Sequence, residues 1–140
     1  MTRFRTGVLL LALCFILPAT LAAAHHSFGA QYDGEKSITL KGVITKVDWA
    51  NPHCHMYIDV KEPNGVTKNW KLEGYPPNVL ARTGFKKDVT LKPGDTITVF
   101  AWVARNGTAL AHAREVTFPD GKRLYFGPPA GTGEGTAVDP

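Results

Sequence analysis

The chain predicts an all-β domain with one short helix, folded as a five-stranded OB-like small barrel, with a small β-sandwich as the alternative. Three observations carry that reading. Between residues 37 and 126, short runs rich in β-branched residues alternate apolar with polar side chains. Turn signals separate the runs: Asn51-Pro52, "EPNGV" (62–66), "LKPGD" (91–95), "RNG" (105–107) and "PDG" (119–121). One helix-like stretch falls between the third and fourth runs, the element order of an OB barrel.

Residues 1–24 read as a secretory signal peptide and lie outside the domain. Arg3 and Arg5 precede the uncharged core "VLLLALCFIL" (8–17), Pro18 ends it, and small residues run to Ala24. That core is shorter than the roughly 20 residues a bilayer span needs. Cys14 follows Leu13 where a lipid-anchor signal needs a small residue, so no membrane anchor is expected after cleavage. Cleavage after Ala24 places His25 first; cleavage after Ala23 leaves Ala24 first. The expected location is periplasmic or secreted.

Residues 25–36 read as a loose N-terminal arm. "SITLKGVITKVDW" (37–49) is a long strand whose apolar parity shifts, with Ile38, Leu40 and Ile44 on one face and Val47 and Trp49 on the other. Gly42 marks a bend or bulge there. "HCHMYIDV" (53–60) alternates, setting Cys54, Met56, Ile58 and Val60 against His53, His55, Tyr57 and Asp59. Trp70 and Leu72 face inward on the third strand. "YPPNVLARTG" (75–84) is the helix, with prolines at its start and glycine past its end. The fourth strand alternates Ile97, Val99, Ala101 and Val103 with Thr98, Phe100 and Trp102, and "TALAHAREVTF" (108–118) is the fifth. The Gly/Pro-rich tail from 127 to 140 has little to bury and reads as disordered.

Removing Arg3 and Arg5 from the 16 basic residues leaves 14 against 12 acidic ones, a net charge of about +2 on the mature chain. The charges are interspersed, so no nucleic acid partner is expected. Cys54 is the one cysteine after cleavage, so no internal disulfide forms. Its parity makes it a core residue and points its sulfur away from His53 and His55, which argues against a blue-copper site. No serine sits in a nucleophile context, and the acids Asp48, Asp59, Glu62 and Glu73 are scattered. Catalysis is not indicated.

The stretches "AHHSFGAQYD" (24–33), "KGVITKVDWANPH" (41–53), "YIDVK" (57–61), "GYPPNVLARTGF" (74–85), "LKPGD" and "AREVTFPDGKRL" (113–124) occur in an order that resembles a family of small exported bacterial proteins of unknown function. The resemblance implies export and a compact β-rich domain, and it draws attention to the His-His start and the Asn-Pro-His turn. It implies no reaction. The chain departs from the family pattern at "HCHM" (53–56) and at His112, where histidine is not typical.

The histidines are the constellation with metal chemistry. A first residue His25 offers its α-amine and imidazole to one ion, and a third nitrogen completes a histidine brace, an arrangement similar to that of copper-dependent polysaccharide monooxygenases and periplasmic copper chaperones. His26, His53 and His55 are the other candidate ligands, and imidazole nitrogens suit copper. If Ala24 leads instead, histidine stands third, the start of a square-planar copper or nickel chelate. Surface histidines near a flexible end are the plain alternative, and the known brace proteins are sandwiches. A second reading is a ligand-binding module. OB barrels bind along aromatic faces, and Trp49, Tyr57, Phe100 and Trp102 are the candidates for an oligosaccharide, a peptide or a partner protein of the envelope. A structural envelope role is the third. The metal reading requires the N-terminus to come within reach of His53 and His55. The platform reading requires Phe100 and Trp102 to be exposed together.

Overall fold

A computed structural model describes residues 28–128. The signal segment, His25, His26 and the tail from 129 lie outside the described residues. Two short helices and six strands follow in order: α1 (Phe28–Gln31), β1 (Tyr32–Asp48), β2 (His55–Lys61), β3 (Thr67–Glu73), α2 (Pro77–Arg82), β4 (Thr96–Ala104), β5 (Leu110–Thr117) and β6 (Arg123–Tyr125). The sheet order is β3-β2-β1-β4-β5-β6, and a parallel β3–β5 pairing closes the first five strands into a ring. The class is all-β, as the alternation predicts, but the strand count is six and the ring is not a regular barrel. Its closing seam is three residue pairs long, whereas β1 pairs along most of β4.

β1 is the strand that makes closure possible. Its first part pairs with β4 and its last part with β2, and Val43 belongs to both pairings. At the crossover Gly42 lies so close to β2 that a Cβ there would stand 2.6 Å from the Asp59 carbonyl oxygen. No side chain fits, which is why glycine occupies the bend. The register with β2 then slips between Ile44 and Lys46. This bulge explains the parity shift: past it, Val47 and Trp49 pack against the same core as Ile44. The discontinuity falls three residues after Gly42.

The interior follows from the alternation elsewhere. Cys54, Met56, Ile58, Leu72, Ile97 and Val99 are buried, with Leu80 of α2 among them. Pro77 opens α2, and Gly84, at a φ of +95°, turns the chain out of it. Phe85 then meets Phe126 at 5.6 Å.

Three expectations shift. The arm is not loose from Phe28 onward, because β1 starts at Tyr32, five residues before Ser37. Order also runs past residue 126: Gly127 and Pro128 are buried, and the Gly127 N–H donates to the Arg114 carbonyl at 3.3 Å. Finally, β4 is buried on both faces near its end, with Ala101, Trp102 and Ala104 all buried. On β5, Ala111, His112 and Ala113 are buried in succession. A strand buried on consecutive residues has both faces covered. The core covers one, and the arm covers the other.

Candidate functional site

Arg105, in the turn after β4, fastens the arm. Its backbone N–H donates to the Gln31 carbonyl at 3.0 Å, its Nε to the Gly29 carbonyl at 2.9 Å, and its guanidinium stands 3.8 Å from Asp33. That anchorage lays the Phe28 ring over the outer face of the ring of strands. Phe28 meets Trp102 edge-on at 5.7 Å, His112 edge-on at 5.2 Å and Tyr32 at 5.5 Å.

Beneath the arm, a line of register partners crosses four strands. His55 of β2 pairs with Glu73 of β3, Glu73 with His112 of β5, and His112 with Trp102 of β4. Partners across a ladder point to the same side of the sheet, so these four side chains form one row. His53, in the turn before β2, joins from the side.

Glu73 is the hub. Its Oε1 stands 2.7 Å from His53 Nδ1, and its Oε2 accepts a hydrogen bond from the Tyr32 hydroxyl at 2.8 Å. His55 Nε2 is 3.7 Å from the same oxygen, beyond hydrogen-bond length. The carboxylate draws the proton of His53 to Nδ1 and leaves the lone pair on Nε2, the orientation that second-shell carboxylates impose on ligating histidines. Burial holds the Tyr32 hydroxyl well above the ordinary phenol range, and the charge of Glu73 adds to this. Burial also lowers His55, helped by Lys71 and opposed by Glu73.

His112 is 5% exposed. Burial depresses its pKa to about 4, against the pull of Glu73, so the ring is neutral at pH 7. Among the described residues neither of its ring nitrogens has a hydrogen-bond partner. Gly127 runs against the ring: a Cβ there would stand 2.9 Å from His112 Nε2.

The structure therefore brings His53 and His55 together on Glu73, while His25 and His26 lie outside the described residues. Among the described residues, no group of three or more His, Cys, Asp or Glu side chains stands ready to hold a metal ion. The aromatic candidates are not exposed together, although the Phe100 and Trp102 rings touch with centres 5.5 Å apart. Trp102 is 8% exposed under Phe28, Phe100 is 37% exposed beside it, and Trp49 packs against the core. Tyr57 is half-buried under the Lys46 ammonium, 5.4 Å from its ring centre. Trp102 is inaccessible because the arm occupies the space an exposed Phe100–Trp102 pair would need. Phe100 instead lines an open groove of about 450 Å³ with Thr39, Thr98, Arg114, Thr117 and Tyr125.

Residues 14–113 match a family profile. The chain belongs to the Family of unknown function (DUF6152). The matched span includes Tyr32, His53, His55, Glu73 and His112, and it stops before β6. No curated protein and no solved structure matches the chain. Family membership brings no reaction with it, so the chemistry must come from the residues.

Glu73, Tyr32, Arg105 and His112 were not among the site residues expected from sequence. Glu73 was within reach of pattern reasoning. Counting outward equally on both sides of the Asn64-Gly65 turn, from Lys61 opposite Thr67, brings Glu73 opposite His55. His112 joins through the non-local β3–β5 seam, for which the sequence offers no local signal.

Proposed function

We propose that this DUF6152 protein is an exported envelope binding protein that holds a copper-type ion through its processed N-terminus. His25 supplies amine and imidazole, and His26, His53 and His55 are the further nitrogen donors. One observation carries the reading: Phe28, three residues after His25, packs at the same end of the sheet as His53, His55 and Glu73. Three extended residues span about 10 Å at most, so a start at His25 stays within that reach of Phe28. The N-terminal donors are required by this reading, because the described histidines and Glu73 do not form a metal-holding group alone. The ring order β1-β2-β3-β5-β4, with α2 between β3 and β4, supports an OB-like description of the scaffold.

The test is an intact mass and a copper titration on protein exported with its own signal. The expected mass is that of a chain beginning at His25, and the expected stoichiometry is one ion. One alanine placed ahead of His25 removes the amine–imidazole chelate and should abolish that binding. Binding unaffected by the added residue overturns the reading.

A second reading rests on the groove beside Phe100. An exposed phenylalanine next to threonine hydroxyls, with the Arg114 guanidinium 4.4 Å from the Tyr125 ring centre, suits an oligosaccharide or a peptide. Phe100→Ala should abolish retention on a glycan or peptide array while leaving copper binding intact. Retention that survives the substitution would refute this second reading.

A further inference from the structure

We propose that the groove beside Phe100 is a saccharide site, in which Phe100 stacks on a pyranose ring and Glu115 accepts hydrogen bonds from its hydroxyls. The proposal rests on the groove reading above and commits it to one ligand class, a short neutral chain of pyranose sugars.

The ladder registers lay out the floor of the groove. Thr39 of β1 pairs with Phe100 of β4, Phe100 with Glu115 of β5, and Glu115 with Tyr125 of β6. A neighbouring row runs through Lys41, Thr98, Thr117 and Arg123 on the same four strands. Register partners share a side of the sheet, and Phe100 is exposed, so both rows stand on the outer face. One row sets a carboxylate between two aromatic rings. The other sets two hydroxyls between two cationic residues.

A bulge adds the last group. The β4–β5 register passes from Phe100–Glu115 to Ala101–Ala113, so Arg114 is the extra residue of β5. Bulges re-aim side chains. Here the Arg114 guanidinium stands 4.4 Å from the Tyr125 ring centre, and its Nη1 donates to the Gly127 carbonyl at 3.3 Å. Those contacts hold it in the groove that it lines.

The lining chemistry selects the ligand. Arg114 and Glu115 are the two charged residues among those that line the groove, and their charges cancel, which matches a neutral ligand. A carboxylate has about four acceptor positions, so the Arg123 guanidinium 3.6 Å from Glu115 leaves room for sugar hydroxyls. Threonine hydroxyls both donate and accept, as sugar hydroxyls do. The C–H face of a pyranose supplies the apolar surface that covers an exposed phenylalanine. A peptide fits less well. Extended peptides add a strand to an open sheet edge, whereas this groove lies on the face of four strands already paired with one another.

Two measurements on the mature, natively exported chain decide the matter. The first is calorimetric titration with cellotetraose, chitotetraose and maltotetraose, beside panning of a random decapeptide library. At least one tetrasaccharide should bind. Phe100→Ala and Glu115→Gln should each weaken that binding tenfold or more, the least factor that a hydrogen bond to a charged group carries, with Tm close to that of wild type. The second uses wild type alone, with ¹³C-labelled threonine methyl groups. The Thr98 and Thr117 signals should move as the tetrasaccharide is added, while that of Thr67 on β3 stays fixed. This arm remains decisive if a variant does not fold. Tetrasaccharide binding that either substitution leaves intact, or groove signals that do not move, overturns the saccharide site. Peptides that bind through Phe100 when no tetrasaccharide binds overturn it too, but leave the groove reading standing. If neither class binds, both fall.

Discussion

Replacing Tyr32 by phenylalanine removes one oxygen at the point where the arm meets the site. The tyrosine is 2% exposed, and its hydroxyl donates to Glu73 Oε2 at 2.8 Å. Its ring contacts with Phe28 at 5.5 Å and His112 at 5.2 Å need no hydroxyl, so phenylalanine retains them. What disappears is a charge-assisted hydrogen bond in a half-dry setting. His55 Nε2 stands 3.7 Å from that oxygen, too far to replace it. Hydrogen bonds to charged groups contribute about 1.5–3 kcal/mol. For a domain near 100 residues, each kcal/mol moves Tm by roughly 4–8 °C. Tyr32→Phe should therefore lower Tm by about 6–24 °C.

The assay is urea unfolding of the metal-free protein, followed by tryptophan fluorescence, in a double-mutant cycle with Glu73→Gln. The two side chains touch, so the separate losses should fail to add, with a coupling of about 1–2 kcal/mol. A Tyr32→Phe midpoint equal to wild type, or strictly additive losses, would show that the hydroxyl and the carboxylate are not coupled. The Tyr32–Glu73 hydrogen bond would then not help to hold the arm to the sheet.

Other expectations concern the same region. The folded-state pKa of His112 is about 4 against an ordinary 6.5. Between those values the unfolded chain holds a proton that the native chain does not, so stability falls as pH drops through that window. At about 1.4 kcal/mol per pKa unit the loss reaches roughly 3 kcal/mol, and the lowered His55 acts in the same direction. Urea midpoints of metal-free protein from pH 7.5 to 4.5 should fall less steeply in His112→Phe than in wild type; equal slopes would count against the buried neutral ring. Cys54 is fully buried, and burial pushes its thiol up to about 11. At pH 8 about one thiol in a thousand is ionised, so iodoacetamide should modify it at the rate of global unfolding, and rapid labelling of native protein would contradict its burial. Phe28→Ala should uncover Trp102, shift its emission to the red, and cost about 2 kcal/mol, below the 3–5 typical of a fully buried phenylalanine because Phe28 is half-exposed. An unchanged spectrum would mean that something other than Phe28 covers Trp102.

Local patterns made the inner face of the sheet legible. Met56, Ile58 and Val60 are buried because a pleated strand turns alternate side chains inward, and α2 begins and ends at its proline and glycine. The irregularity of β1 was legible in kind, since Ile44 and Val47 cannot face one core without an extra residue between them. The burial of Trp102 and Ala104 was not, because it comes from outside the ring. Arg105 must first bring the arm back across β4, a contact 76 residues apart in the chain. The site divides in the same way. His53 and His55 share a direction by strand geometry, and Glu73 follows from hairpin register. Tyr32 and His112 arrive only through the arm and the seam, and no periodicity records either.

Those two non-local features meet at one place, and this bears on why a ligand would be held there. The β3–β5 seam runs through Lys71–Leu110, Leu72–Ala111 and Glu73–His112. Its last pair is thus made of two of the polar groups beneath the arm. So short a parallel seam has few backbone hydrogen bonds to keep the ring shut. On the proposed reading, an ion held by the N-terminus and the β2 histidines would join the arm to the sheet beside that seam. By mass action, a ligand at 100 times its Kd stabilises the form that binds it by about 2.7 kcal/mol. The ion would therefore hold the arm against the sheet next to its closing seam. The arm would in turn be ordered before the ion arrives, because Arg105, Tyr32 and Phe28 already hold it, and preorganisation of this kind raises affinity without adding contacts.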